Sequence, residues 1–334
     1  MKAMIRSVAI GGVLVGAASA IADSAAASTD EGPLRIRNIA PGTQVFGLPR
    51  ALGGDVLSEG TEITFSTELA NNFVSDAERE TLAFFDGETA LLTYGIRRPW
   101  GERFEYGLSV PYLIHHGGFL DAVIDNFHDA FGFDGNGRDL TGRGHIDYFI
   151  QDEGEIFADF QHQRRDWGDI RLSGGYQLVR NDARSLAARI ELKLPTGDVD
   201  DLTGSEGTDV AIWADYSDRS LLSRLGLDLT TTLGVVLLGE GELAPDKQED
   251  YAVFAHLGLS YRLSDRWSLK TQLDAHSELM DSHVDQLGGQ ALMGTIGARW
   301  HVTPTLWTDF AIVEDVYSDS TSDVVWQMVF GARL

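Results

Sequence analysis

The sequence predicts an all-β chain: an antiparallel transmembrane β-barrel of the outer-membrane type, with about 12 to 14 strands and one helical outer-loop insert. Three observations carry that expectation. Apolar and polar residues alternate in stretch after stretch from Thr61 to Leu334, and several stretches last for the roughly 9 to 11 residues that a tilted strand needs to cross hydrocarbon. Connections between them alternate between short and long, which is the pattern of tight turns at one rim and loops at the other. The last stretch, 324–334, places Val324, Trp326, Met328, Phe330, Ala332 and Leu334 on one face, while Gln327, Gly331 and Arg333 share the other with Val325 and Val329. One face suits lipid and the other a polar lumen, and closure supplies the partner that its edge requires.

Composition narrows the function classes. The 334 residues hold 51 acidic and 26 basic side chains, for a formal charge of -25. Lys2 and Arg6 would leave with a leader, which makes the remainder more acidic still. Such a surface repels a phosphate backbone, so nucleic acid is not an expected partner. Cysteine is absent, which excludes disulfides, thiolate metal sites and a lipid-modified cysteine. Mean hydropathy is -0.11, and past the leader no run approaches the roughly 18 apolar residues of a membrane helix.

Taken in order, Lys2 and Arg6 precede an apolar run over 8–20 that ends in Ala18-Ser19-Ala20, with Ala20-Ile21-Ala22 and Ala25-Ala26-Ala27 as alternative sites. Residues 1–22 read as a cleaved signal peptide. Residues 23–60 begin rich in Ala, Ser and acid and continue through Pro41, Pro49 and several glycines, which is poor strand material. They are expected to form a periplasmic N-terminal segment or a plug tucked into the barrel mouth.

The barrel proper is expected over 61–334. Its strands fall at 61–73, 82–97, 102–114, 145–151, 156–163, 169–180, 185–195, 208–217, 225–238, 250–263, 267–278, 290–301, 305–315 and 324–334. In the clearest of them, Leu186, Ala188, Ile190, Leu192 and Leu194 oppose Arg189, Glu191 and Lys193. Aromatic residues such as Tyr106, Tyr112, Tyr251, Tyr261, Trp267 and Trp300 stand towards the ends of apolar faces, as interfacial girdles do. Basic residues gather at short turns, whereas the long loops carry Asp198, Asp200, Asp201, Glu206, Glu240, Glu242 and Asp246. That acidity reads as a solvated face, with divalent-cation bridging to outer lipid as the sharper alternative.

One segment, 115–142, breaks the period. Leu120, Val123, Ile124, Phe127 and Phe131 recur at helical spacing, so an amphipathic helix is expected over 119–131. At this point the chain resembles a known family, the uncharacterised proteobacterial outer-membrane proteins grouped as domain of unknown function 3187. The residues that carry the resemblance are Arg35-Ile36-Arg37-Asn38, Phe46-Gly47-Leu48-Pro49-Arg50, Gly117-Gly118-Phe119-Leu120-Asp121, Phe127-His128 and Gly137-Arg138-Asp139. Glu191-Leu192-Lys193-Leu194-Pro195-Thr196-Gly197 is shared with several other barrel families and is less specific. The resemblance implies an exported barrel and supplies no substrate, cofactor or catalytic residue.

Three constellations resemble sites. His128 with Asp125 and Asp121 could line a helix edge, but a polar helix face explains the spacing as well. Asp134 to Asp139 begins like a calcium loop, then has Arg138 at a ligand position and lacks the distal Glu. His276-Ser277 would suit a lipid hydrolase, but neighbours on one strand point to opposite faces. No catalytic residue, cofactor or metal ligand is therefore assigned.

The inward parity is more informative. Arg103, Arg171, Arg189, Lys193, Arg262, Lys270, Arg299 and Arg333 share it with Glu105, Asp169, Glu191, Asp209, Asp215, Asp228, Asp274 and Asp309. Of these the lumen-lining candidates are Arg103, Glu105, Arg171, Arg189, Glu191, Lys193, Arg262, Lys270, Asp274, Arg299 and Asp309. Both signs on neighbouring strands permit cross-strand pairing. The leading functional expectation is a channel or transporter for small solutes in the outer membrane of a Gram-negative bacterium, with outer-membrane lipids and an unspecified solute as partners. A structural or interaction barrel with a sealed lumen is the alternative, and an outer-membrane lipid hydrolase comes third.

Overall fold

The computed structural model describes residues 32–78, 81–118, 144–152, 154–282, 287–317 and 320–334. The strands among them are β1 (Glu62–Glu78), β2 (Thr81–Trp100), β3 (Phe104–His116), β4 (Asp147–Asp152), β5 (Glu155–Phe160), β6 (Arg164–Trp167), β7 (Arg171–Arg180), β8 (Arg184–Lys193), β9 (Asp209–Asp218), β10 (Leu227–Leu237), β11 (Tyr251–Arg262), β12 (Trp267–His276), β13 (Ala291–Thr303), β14 (Leu306–Tyr317) and β15 (Val324–Arg333). Twelve of them, β1 to β3 and β7 to β15, form a closed antiparallel barrel in which each pairs with its neighbours. Closure is made by β1 against β15, in register from Glu62 opposite Arg333 to Asn71 opposite Val324. Every wall strand therefore has a partner on both sides, which removes the exposed edge.

The remaining three strands extend the wall at one rim. Residues 82–86 of β2 run beyond β3 and pair with β4, and residues 112–115 of β3 pair with β6. A β4–β5 hairpin follows. The stretch expected as one strand over 156–163 is divided, because β5 stops at Phe160 and β6 begins at Arg164. His115 and His116, expected inside the helical insert, instead complete β3. The helix expected over 119–131 lies outside the described residues.

Alternation dictates which side chains meet which solvent. In β11 and β12 the exposed and buried classes alternate almost residue by residue, with Tyr251, Val253, Leu257, Leu269 and Leu273 outward and His256, Lys270, Gln272 and Asp274 inward. The outward set continues around the ring through Phe65, Ile190, Ile212, Leu233, Ile296, Phe310 and Trp326, all large, apolar and exposed. A water-soluble surface rarely carries so extensive an apolar band, whereas a hydrocarbon-facing one requires it. Aromatic pairs border the band. Trp267 stacks on Trp300 at 5.8 Å and Phe104 meets Tyr176 at 4.6 Å near the rim of short turns, while Tyr112 meets Trp167 at 5.1 Å towards the other rim.

Candidate functional site

Residues 32–57 lie inside the barrel, and none of them is solvent-exposed. Their path is a hairpin. The chain rises along the wall formed by β12 to β15, turns at residues 40–46 against the long-loop rim, and descends along β7 to β9 before entering β1. On the rising limb Lys270 donates to the Gly32 carbonyl, Gln272 holds both backbone groups of Leu34 at 3.0 and 3.2 Å, and Gln327 donates to Arg35 O at 2.8 Å. Asn38 contacts His276 Nε2 at 3.0 Å and donates to Ser320 O at 2.8 Å. The turn closes through Thr43 and Gln44 N–H groups donating to Ala40 O, and Gln44 Nε2 reaches Leu202 O at 3.2 Å.

The descending limb is held mainly by wall cations. Lys193 donates to Val45 O at 2.7 Å, and Arg171 donates to Phe46 O and Leu48 O at 2.8 and 2.9 Å. Arg189 donates to the carbonyls of Gly53 and Asp55, both at 3.0 Å. Near the short-turn rim Asp55 pairs with Arg180 at 3.2 Å and Arg219 at 2.6 Å. A strand would satisfy these carbonyls through a ladder. Here Pro and Gly interrupt the ladder, and charged side chains projecting from the wall replace it.

Ion pairs bind wall to wall as well as wall to plug. Glu62 is shared by Arg35 at 2.6 Å, Arg97 at 2.9 Å and Arg333 at 3.4 Å. Glu105 is shared by Arg97 at 3.0 Å and Arg189, and Arg189 continues to Asp215 at 2.7 Å. Glu68 takes Arg50 at 2.5 Å, and Arg299 pairs with Asp309 at 2.6 Å. Lys193 stands between Asp169 at 3.1 Å and Asp209 at 3.0 Å, and Arg171 pairs with Glu191 at 2.9 Å. His256 lies 3.0 Å from Asp274. Removing one member of such a buried pair strands the other, so this lining is fixed rather than loosely distributed.

The two ends of the lumen differ. At the long-loop rim Val45, Phe46 and Leu48 of the plug join Tyr148, Phe160, Leu202, Trp213, Leu243, Leu279 and Met280 in one apolar cluster. Lower down, plug and wall leave a cavity between them. In the loop 194–208, burial pushes the Asp201 carboxyl above its ordinary value against the opposing effect of Arg164, 3.2 Å away. Asp198 and Asp200 add to that rise.

Of the lumen candidates, Glu105, Arg171, Arg189, Lys193, Lys270, Asp274, Arg299 and Asp309 are buried on the inner face, and Glu191 is half-buried beside Arg171. Two are not in the lumen. Arg103 lies in the exposed turn between β2 and β3, and Arg262 is the exposed last residue of β11. Their parity is inward, but the wall ends before it can enclose them. Sequence reasoning missed Glu62 and Glu68 on β1, Arg97 on β2, and the plug's Arg35, Arg37 and Arg50. Parity along β1 and β2 could have found the first three; the plug carries no period to read. His276 faces the plug, with Nδ1 on Ser277 O at 2.8 Å, and Ser277 Oγ instead accepts from Val253 N, so no nucleophile–base pair forms. The His128 and Asp134 motifs lie outside the described residues.

A family profile described as a protein of unknown function, DUF3187, matches residues 10–333. No curated protein matches the sequence. Among solved structures, the COG4313 outer membrane channel from Pseudomonas putida F1 is similar at TM-score 0.53 and 12% identity, over 84% of this chain and 98% of that one. The NanC porin is similar at TM-score 0.46 and 9% identity, over 82% and 100%, and the Ralstonia pickettii toluene transporter TbuX at TM-score 0.39 and 10%, over 83% and 90%. At these identities the first likeness speaks for the fold alone, an outer-membrane barrel, and the other two add no argument.

Proposed function

This chain belongs to the DUF3187 family, and from that premise we propose that it is a plugged outer-membrane channel for small solutes. Its short-turn rim and N-terminal entry would face the periplasm, and its acidic long loops the outside. The observation that supports this reading is the chemistry of the plug–wall contact. Within and below the apolar cap, plug carbonyls rest on Lys270, Arg171, Arg189 and Lys193, and water or a polar solute can take over such bonds at modest net cost. A barrel meant only as a scaffold gains more from apolar filling than from buried ion pairs.

A second reading, a sealed structural barrel, draws on the apolar cluster around Phe46 at the long-loop rim. One experiment separates the two. The full chain and a variant lacking residues 32–57 are refolded, checked for the heat-dependent gel shift of a closed barrel, and compared in planar bilayers and in liposome swelling with small sugars. The channel reading expects a closed or rarely open full chain and steady conductance after plug removal. A folded, plugless barrel without conductance or swelling would overturn it in favour of the sealed one.

A further inference from the structure

We infer that the cavity between plug and wall is a binding site for a small polar solute bearing a carboxylate or phosphate group. Five guanidiniums line it: Arg35, Arg37 and Arg50 from the plug, Arg97 and Arg171 from the wall. Glu191 is the single carboxylate among its described lining residues. Glu62, Glu68 and Glu105 stand behind the arginines and compensate them incompletely, because Glu62 serves three guanidiniums and Glu105 two. A chain whose overall charge is -25 thus concentrates positive charge at one interior point.

Arg37 makes the arrangement specific. It is only 8% exposed and lines the cavity, yet among the described residues it forms no ion pair and one hydrogen bond, to Gln44 O at 3.1 Å. A guanidinium has five N–H donors, so most of its capacity is unused. Among its charged neighbours Arg171 and Arg50 repel it, each more strongly than either Glu68 or Glu191 attracts it. Burying a cation in that state is costly unless an anion joins it, and a planar oxyanion can accept two parallel N–H bonds from one guanidinium. Hydroxyls of Thr64, Ser66 and Ser109 on the same lining offer partners for the rest of a polar solute. The acidic outer loops do not cancel this attraction, since charges farther apart than about 8 Å across solvent are largely screened at physiological ionic strength.

The inference deepens the channel reading by naming its solute class, but binding can be measured on the full chain without any passage. Isothermal titration of the detergent-solubilised full chain at fixed ionic strength uses citrate and inorganic phosphate as probes, glucose and lysine as neutral and cationic controls, and phosphatidylglycerol in mixed micelles as the lipid arm. Saturable binding of citrate or phosphate, one per chain, is expected, with none of the controls binding. Arg37→Gln should weaken it at least about 10-fold, the loss typical of a charge-assisted contact, while Arg98→Gln on the exposed rim leaves it unchanged. Ser109→Phe, which fills the cavity without altering a charge, should abolish it. No binding of either free anion, equal binding by the Arg37 variant, or binding confined to the lipid would overturn the inference. Conductance by the plugless barrel with no anion binding would leave the channel reading intact and remove only this one; anion binding without conductance would do the reverse.

Discussion

Replacing Arg171 with Met removes a two-bond tether on the descending limb while costing the wall comparatively little. Its guanidinium donates to Phe46 O at 2.8 Å and Leu48 O at 2.9 Å, and its ion-pair partner, Glu191, is half-buried and can regain water. A hydrogen bond to a charged group contributes about 1.5–3 kcal/mol, so losing two costs the closed plug about 3–6 kcal/mol if they add. That raises the local opening constant about 10²- to 10⁴-fold. Phe46 and Leu48 stay in the apolar cluster, each worth about 1.5–3 kcal/mol of burial, so the tip should loosen rather than leave. The assay is amide hydrogen exchange at Thr43, Gln44 and Phe46, whose N–H bonds of 2.9, 2.9 and 3.1 Å close the turn. Their protection should fall while that of β12 holds, and Arg171→Lys, which restores one donor, should recover part of it. Unchanged protection in the turn, or an equal fall in every strand, would refute the tether.

Two further substitutions probe wall and plug separately. Leu233 is 69% exposed near the middle of β10, and Leu233→Arg should cost about 2–4 kcal/mol of folding into lipid vesicles, read from denaturant unfolding; a change near zero would mean that this face does not meet hydrocarbon. A Cβ at Gly47 would stand 2.5 Å from Asp209 Cβ, so Gly47→Val must push the plug tip off the wall and should raise the frequency of openings in planar bilayers, with silence counting against a mobile tip.

How much of this was legible depends on whether a residue's environment repeats. Wall strands meet lipid and lumen in strict alternation, so the sequence carries a period of two, and the pairing of β1 with β15 follows from the patterns of each. The same parity brought out Arg189 with Asp215 and Arg299 with Asp309 on adjacent strands, and Arg189 with Glu105 across β7, where Gly175 stands between them in the row. It failed at Arg103 and Arg262, since parity says which way a side chain points and not where the wall stops. It also failed at the gap between β5 and β6, where Gln161 and His162 interrupt pairing within a stretch too short to show a period.

The plug was illegible for a deeper reason. A segment enclosed by a cylinder touches wall residues of many strands in succession, so its environment changes at every step and no period can encode it. Its backbone must nevertheless be satisfied, because buried carbonyls left without donors cost about as much as a lost hydrogen bond. The donors come from elsewhere in the chain: Lys270 for Gly32, Lys193 for Val45, Arg171 for Phe46 and Leu48, Arg189 for Gly53 and Asp55. Part of what specifies residues 32–57 therefore resides in the wall, in cations that serve plug carbonyls and wall carboxylates at once. Inward Lys and Arg side chains, beside a Pro- and Gly-broken stretch ahead of the first strand, are the physical trace that such a segment leaves in a sequence.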